Sequence, residues 1–215
     1  MDSAVVLAWM VRERFECIAL SFDYGQRHRV ELECARRVAA RHGVTEHLIQ
    51  RIDLRAVGAS ALTAEIEVPK DRVSTGGANE IPITYVPARN TLFLSYALGL
   101  AESREAQGIA IGVNAVDYSG YPDCRPEFLR AYANLANLAT RAGVEAAAKG
   151  SRAFEIHAPL IGLSKRQIIE LGRELGVDFG MTLSCYDPSP TGDPCSRCDA
   201  CRLRARGFSD AGLSE

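Results

Sequence analysis

The chain has 215 residues, of which 47% are hydrophobic and 24% are charged, and its formal net charge is −2. This composition is typical of a globular protein. The small net charge argues against nonspecific electrostatic binding of nucleic acid. The sequence contains no apolar run long enough to predict a membrane span. It shows no signal-peptide pattern, and the scattered cysteines Cys17, Cys34 and Cys124 indicate a reducing cytoplasm.

The predicted elements alternate between helices and strands. The first half predicts a helix that starts at residue 2 or 3 with Asp2 and Ser3 as capping residues, a strand at 17–22, a helix at 27–42 closed by Gly43, and a strand at 46–52. An irregular excursion follows at 54–84. The second half predicts a helix at 90–106, a strand at 108–113, a helix from Pro126, a strand at 154–158 and a helix from Ser164 to Gly176. This alternation predicts an α/β fold with a parallel sheet and helices on both faces.

Apolar stripes predict which faces of two helices point inward. The helix at 90–106 is expected to bury Leu92, Phe93, Tyr96 and Leu100, and the helix from Pro126 is expected to bury Phe128, Tyr132, Leu135, Ala139 and Ala142.

The helix after Leu163 has the clearest start signal. Ser164 and Gln167 form a capping box, and Leu163 with Ile168 forms a hydrophobic staple. Lys165 lies in the first turn, where the helix dipole disfavours a cation. Either a nearby anion or exposure to solvent would resolve that misfit.

Four cysteines near the C-terminus predict a metal site. Cys185 lies one Pro/Gly-rich loop upstream of Cys195, Cys198 and Cys201, and two residues separate each of these three cysteines from the next. Four thiolates on a short, turn-rich segment can surround a tetrahedral Zn²⁺, whose binding would supply folding free energy to a segment with little apolar surface. A disulfide pair and an iron–sulfur cluster are the alternatives.

Polar loops follow two of the predicted strands. In parallel sheets ligands bind at the carboxyl ends of the strands, and here those positions hold residues 23–28 and 114–125. Arg89 and Asn90, at the start of a helix, are candidates for binding phosphate. The alternatives are an ordinary surface turn for the second loop and a solvated cap for Arg89 and Asn90.

Taken together, these segments resemble the 7-cyano-7-deazaguanine synthases of queuosine biosynthesis, within the ATP-pyrophosphatase superfamily. The resemblance runs almost end to end, and its most specific parts are the spaced cysteines and the stretch from Asp117 to Pro126. It implies a Rossmann-like fold of the adenine nucleotide alpha hydrolase type, with a nucleotide- and substrate-binding domain at 1–180 and a zinc-binding segment at 181–215.

The resemblance also implies a carbon–nitrogen ligase reaction. ATP would activate 7-carboxy-7-deazaguanine as an acyl-adenylate, ammonia would displace AMP to give an amide, and a second ATP would drive formation of the nitrile. The implied cofactors are ATP with Mg²⁺ and a structural Zn²⁺. The implied partners are small molecules, with no direct nucleic acid and no membrane, and a homodimer is allowed.

By resemblance, three sets of residues form the site. Phosphate binding and catalysis fall to Asp2, Ser3, Arg89 and Lys165; the nucleotide would also contact Asp23, Tyr24, Gln26 and Asn90; the deazaguanine would contact Asn114, Asp117, Tyr118, Ser119, Asp123 and Arg125. Cys124 is interpreted as a packing residue rather than a nucleophile.

The match to the superfamily breaks at the N-terminus. The phosphate loop of the superfamily reads Ser-Gly-Gly-x-Asp-Ser and follows the first strand, whereas this sequence starts at the x position with Met1. We therefore expect that Met1 is an internal methionine, that the first strand is missing from the sequence, and that residues 1–215 alone turn over little ATP, because the backbone amides of such loops cradle the phosphates.

Two other functions remain open from the sequence. One is a different ATP-pyrophosphatase that modifies tRNA or forms an amide. The other is an inactive zinc-containing binding module, whose tail arginines would meet RNA; these are Arg197, Arg202, Arg204 and Arg206. A solvated helix face is the more ordinary interpretation of those arginines.

Overall fold

The structure is a computed structural model that describes residues 1–26, 30–71, 81–116 and 120–215. Its elements, in chain order, are α1 (Asp2–Arg12), β1 (Ile18–Asp23), α2 (Val30–Arg41), β2 (Glu46–Arg51), α3 (Arg89–Ser103), β3 (Gly108–Ala110), a 3-10 turn (Pro122–Cys124), α4 (Pro126–Leu138), α5 (Arg141–Ala147), β4 (Glu155–His157), α6 (Lys165–Glu174), a second 3-10 turn (Phe179–Met181) and α7 (Asp199–Asp210). Within the described ranges, no helix is both long and apolar enough to cross a membrane.

The strands pair in parallel, as the alternating pattern predicts. β1 pairs with β2 from Ile18 opposite Glu46 to Asp23 opposite Arg51, and β3 pairs with β4 around Ile109 opposite Ile156. In the described part of the chain these pairs form two separate two-stranded sheets rather than one continuous sheet. A cavity of about 1130 Å³ lies between them and is lined by residues of both β1 and β3.

The first helix belongs to the same core as the sixth and seventh. Val5 of α1 and Ile168 and Ile169 of α6 have no exposed surface, and Phe208 of α7 joins them. A helix that is apolar on several sides must be buried on several sides. The predicted helix start is confirmed, but the predicted caps are wrong: the cap position is Met1, no side chain caps the helix, and Asp2 is its first helical residue.

The start of α6 follows the prediction closely. The Ser164 hydroxyl accepts a hydrogen bond from the Gln167 amide, and the Gln167 side chain accepts one from the Ser164 amide. Gly176 ends the helix with a left-handed φ of 72°, a conformation that glycine adopts without steric cost.

The inward faces of two helices are predicted only in part. Tyr132 of α4 is buried as expected, but Tyr96 and Leu135 are 46% and 47% exposed. In α3, Leu94 and Leu98 fill the core instead of Tyr96. Phe22 stacks on Phe93 and meets Tyr96 at its edge. An aromatic neighbour therefore covers part of Tyr96 while the rest remains in solvent.

A substitution at Gly172 tests the packing of α6 against Phe179 and Val5. A Cβ atom at this position would come within 2.4 Å of the Phe179 ring and 3.0 Å of Val5. We expect Gly172→Ala to lower the free energy of unfolding by about 1–3 kcal/mol, because overpacking outweighs the better helix propensity of alanine. Urea denaturation measures this change.

Gly99 is the matched control, because it also lies inside a helix but has open space around the added carbon. Gly99→Ala should raise the free energy of unfolding by up to about 1 kcal/mol. Equal effects of the two substitutions would contradict the proposed contact between α6 and Phe179.

Candidate active site and metal centre

Seven of the predicted site residues line one cavity, the large one between the two sheets. They are Asp2, Ser3, Tyr24, Arg89, Asn90, Asn114 and Lys165. They come from the start of α1, the end of β1, the start of α3, the segment after β3 and the start of α6. Residues that lie far apart in the sequence therefore line one space, which runs along β1 and β3.

An ion pair joins two helix N-termini at this cavity. The Lys165 ammonium donates hydrogen bonds to both carboxylate oxygens of Asp2, at 3.0 and 2.8 Å. Lys165 is only 4% exposed. Asp2 is therefore the anion that resolves the unfavourable position of Lys165, and each charge keeps the other from being buried alone.

The first turn of α1 lies directly against the segment that follows β3. A Cβ atom at Gly112 would come within 2.9 Å of the Ser3 amide nitrogen, so only glycine allows this approach. Two residues later the buried Asn114 amide donates hydrogen bonds to the carbonyl oxygens of Leu160 and Leu163, which precede α6. These contacts fix α1 and α6 relative to the end of β3.

Arg89 lies in an aromatic setting. Its guanidinium carbon is 5.9 Å from the ring centres of both Tyr24 and Phe93, within the range of cation–π attraction. Burial acts to lower the pKa of Arg89, but the phenol of Tyr24 and the carboxylate of Asp123 raise it above its ordinary value. The arginine thus remains a fixed cation at the wall of the cavity.

Asp123 caps α3 from a remote loop. Its carboxylate accepts a hydrogen bond from the Asn90 backbone amide at 3.0 Å, and the Asn90 side chain donates to the Asp123 carbonyl oxygen at 3.1 Å. The local cap position of α3 is Ala88, which has no side-chain oxygen and a left-handed φ of 54°. Asp123 therefore satisfies a helix N-terminus that the local sequence leaves open.

Cys124 has the properties of a packing residue. It is 6% exposed, and its sulfur accepts a hydrogen bond from the Asn90 amide group at 3.3 Å. Burial raises the pKa of its thiol to about 11. A thiol that holds its proton at neutral pH is a poor nucleophile.

The remaining predicted residues lie elsewhere or outside the described residues. Asp23 pairs with Arg51 at 3.4 Å, and Gln26 accepts a hydrogen bond from the Tyr24 amide at 2.7 Å while it lines a second, smaller cavity. Asp123 is buried and Arg125 is exposed, and neither is among the lining residues of the two cavities. Asp117, Tyr118 and Ser119 lie outside the described residues.

The four tail cysteines form one cluster. The sulfur atoms of Cys185, Cys195, Cys198 and Cys201 all lie within 4.8 Å of one another. These separations are close to the sulfur–sulfur distances of a tetrahedral metal centre. The cluster can therefore hold a metal ion, as the spacing predicts.

Backbone amides already point at these sulfurs. The Cys185 sulfur accepts hydrogen bonds from the amides of Asp187 and Cys195, at 3.3 and 3.2 Å. Burial raises the pKa of the Cys185 thiol to about 11. For Cys195 burial acts in the same direction, but amide donors from Arg197 and Cys198 prevail and lower the pKa to about 7. A cation is needed before all four sulfurs can be thiolates together.

The cysteine segment is attached to the excursion that follows β2. Lys70 forms an isolated β-bridge with Cys198, and its ammonium group pairs with Asp187 at 2.9 Å. The Asp71 amide donates to the Arg197 carbonyl oxygen, and the Arg197 side chain donates back to the Asp71 carboxylate at 2.6 Å. The cysteine cluster is therefore attached to a segment that is distant from it in sequence.

The tail arginines do not form a single solvated face. Arg197 pairs with Asp71 and Arg206 with Asp210, whereas Arg204 is only 8% exposed. Arg204 donates hydrogen bonds to the carbonyl oxygens of Phe179 and Thr182. The prediction of a solvated face is wrong for Arg204, because the chain around residues 179–184 folds back over α7.

Three residues of the site were missed by sequence reasoning. Glu31, Tyr186 and Arg204 also line the large cavity. Glu31 looked like an ordinary acidic residue of a first helical turn. Tyr186 follows a predicted metal ligand directly, and this neighbour relation is the signal that could have found it.

The comparisons with known proteins agree over the whole chain. Residues 1–212 match the family described as Queuosine biosynthesis protein QueC. Proteins named 7-cyano-7-deazaguanine synthase align with all 215 residues: that of Myxococcus xanthus is 59% identical and is covered over 91% of its length. Those of Desulfatibacillum aliphaticivorans and Geobacter sulfurreducens are 56% and 57% identical and are covered over 91% and 87%. The resemblance predicted from the sequence is thereby confirmed, and the chain belongs to the QueC family of queuosine biosynthesis proteins.

Proposed function

We propose that this protein converts 7-carboxy-7-deazaguanine and ammonia into 7-cyano-7-deazaguanine at the expense of ATP, as a step in making the queuosine precursor. The names of the relatives and the family match support the reaction. The structural observation that carries the proposal is the contact of the start of α1 with Lys165 and with the segment after β3, beside a cavity that Arg89 also lines.

A carboxylate needs activation before ammonia can replace one of its oxygens. Attack of the substrate carboxylate on ATP releases pyrophosphate and leaves AMP as a good leaving group. Ammonia then displaces AMP, and a second adenylation of the amide oxygen allows AMP to leave with formation of the nitrile. The protein must neutralise phosphate charge and keep water from the adenylate.

We assign the phosphate-binding role to residues around the ion pair. Arg89 supplies positive charge, Lys165 lines the same cavity in its ion pair with Asp2, and the amides at Asp2 and Ser3 lie at a helix N-terminus, which favours anions. Mg²⁺, when bound with ATP, would neutralise further phosphate charge. The nucleotide would also contact Asp23, Tyr24, Gln26 and Asn90.

We place the deazaguanine near the segment that follows β3. Asn114 reaches the cavity directly. Asp117, Tyr118, Ser119, Asp123 and Arg125 remain proposed substrate residues, through the resemblance alone. The carboxylate of Asp123, already bonded to Asn90, is more readily interpreted as a positioning residue for α3.

We propose that the metal is zinc and that its role is structural. Four sulfur ligands leave no open position for a substrate or water, and the seven cysteines are all free thiols that form no disulfide. The division into a binding domain at 1–180 and a zinc segment at 181–215, the cytoplasmic location and a homodimer stay predictions.

The function is tested with protein purified from its native source. With ATP, ammonium and the deazaguanine acid, we expect AMP, pyrophosphate and the nitrile, identified by mass spectrometry. Arg89→Met should lower kcat/KM for ATP by about 100-fold, because a preorganised cation facing the phosphates is lost. Arg141→Met is the control, since Arg141 is exposed and pairs only with Glu145 on the surface of α5 among the contacts described.

Turnover of tRNA but not of the deazaguanine acid would contradict the proposed substrate. The intact mass of the same preparation tests the expectation that Met1 is internal. A mass equal to that of these 215 residues, 23.3 kDa, would exclude it.

The metal assignment predicts about one zinc ion per chain in a colourless protein. Cys198→Ser should abolish stoichiometric zinc, measured by elemental analysis, because a ligand of the cluster is lost. Cys17→Ser, which changes a cysteine outside the cluster, should leave the zinc content unchanged. A brown protein that contains iron would contradict the assignment.

Zinc affinity should also fall as the solution is acidified from about pH 8 to about pH 6. Zinc binds thiolates and must displace protons. The pKa of Cys185, raised to about 11, keeps that thiol protonated throughout, while Cys195, with a pKa of about 7, gains its proton within this range. Competition titrations with a chelator measure the change, and a pH-independent affinity would contradict thiolate ligation.

A further inference from the structure

A second, smaller cavity adjoins the large one. Its volume is about 120 Å³, and most of its lining residues also line the larger space. Its polar wall consists of Tyr24, Gln26, Glu31, Arg89, Ser184 and Tyr186. The two spaces therefore share a boundary, and a molecule in the small cavity would face one in the large cavity.

The size of the small cavity selects its occupant. A water molecule takes up about 30 Å³ in the liquid, whereas sites for larger organic ligands measure about 300–1,000 Å³. The small cavity can thus hold a few molecules of the size of water or ammonia, but neither a nucleotide nor a deazaguanine. The larger cavity has room for those.

Glu31 is the one carboxylate among the described residues that line the small cavity. It lies in the first turn of α2 and is partly buried. The other carboxylates around the large cavity differ from it. Asp2 is bonded to Lys165, Glu46 pairs with Arg104, and Glu16 and Glu105 are exposed to solvent.

Amide formation requires a group that removes a proton. When ammonia attacks the acyl-adenylate, a carbon–nitrogen bond forms and the nitrogen becomes positively charged. Loss of one proton from nitrogen lets the carbon–oxygen bond to AMP break, with the electron pair leaving on the phosphate oxygen. A carboxylate beside the attacking nitrogen is suited to accept that proton.

Resting on the proposed function, we propose that the small cavity is the ammonia site and that Glu31 is the catalytic residue that accepts the proton from the attacking nitrogen. Glu31 lines both cavities, so its carboxylate is accessible from the side of the nucleophile and from the side of the activated carboxyl group. The hydroxyl groups of Ser184, Tyr24 and Tyr186 provide polar contacts for ammonia on the other walls.

The surroundings of Glu31 support this role. Burial raises the pKa of its carboxyl group, while Arg89 and a hydrogen bond from Gln26 act in the opposite direction. A raised pKa makes the carboxylate a stronger base than that of an ordinary glutamate. General bases work best when their pKa lies near the operating pH.

Glu31→Gln tests the inference, with Glu33→Gln as the matched control. Glu33 lies in the same turn of α2, but it is exposed and pairs with Arg36 at 3.1 Å. We expect Glu31→Gln to lower ammonia-dependent turnover by about 100-fold or more, and Glu33→Gln to change it by less than about twofold. Both variants should keep pyrophosphate exchange with ATP, which reports adenylation alone.

Hydroxylamine separates proton acceptance from a structural role. It is largely uncharged at neutral pH and depends less on a base, and it converts the acyl-adenylate to a hydroxamate that ferric iron makes visible. We expect Glu31→Gln to form hydroxamate at nearly the rate of the unsubstituted protein.

The inference is overturned if Glu31→Gln slows the hydroxylamine and ammonia reactions equally, if it abolishes pyrophosphate exchange, or if ammonia turnover does not change. A different result identifies a failure of the proposed function itself. If the unsubstituted protein purified from its native source shows no pyrophosphate exchange with the deazaguanine acid, that function is wrong, and the role of Glu31 is wrong with it.

Discussion

The ion pair between Asp2 and Lys165 is the interaction on which the candidate site depends. It connects the first residue of α1 to the first residue of α6 at the wall of the large cavity. Removing one member would leave a charge buried without its partner, which typically costs about 3–5 kcal/mol. The apolar faces of the same two helices pack behind the pair. The hydrophobic core thus holds the two helix N-termini close together. At this distance the opposite charges of Asp2 and Lys165 stabilise each other.

A second constraint acts on the opposite wall. Asp123 caps α3 and also precedes Cys124, whose sulfur receives a hydrogen bond from Asn90. Arg89, one residue before Asn90, lies over the neighbouring rings of Tyr24 and Phe93. The loop before α4 and the cation at the cavity are therefore coupled through the start of one helix. A movement of that loop would shift the cap and, with it, the guanidinium group.

Local signals in the sequence predicted most of the helices and the metal ligands. The capping box at Ser164, the glycine after α6 and the cysteine spacing each specify their structure within a few residues. Long-range contacts could not be predicted in this way. The cap of α3 comes from a residue 33 positions away, and no rule of spacing links the two.

The burial or exposure of single charged or aromatic side chains could not be predicted from the sequence either. The sequence neighbours of Arg204 are typical of an exposed helix face, yet in the structure the segment after α6 covers this side chain. Tyr96 continues an apolar stripe, but a stripe does not show which neighbour will pack against it. The residues of the predicted site were found mainly through the resemblance, and the placement of seven of them on one cavity became visible only in three dimensions.

The link between the excursion and the cysteine segment has a consequence for the order of folding. Asp71 and Arg197 are 126 positions apart in the sequence, and closing so long a loop is entropically unfavourable and slow. During synthesis on the ribosome, the excursion emerges long before its partner exists. Its final anchoring must wait until the last cysteines leave the exit tunnel, so that closure of the cysteine cluster belongs to the final stage of folding.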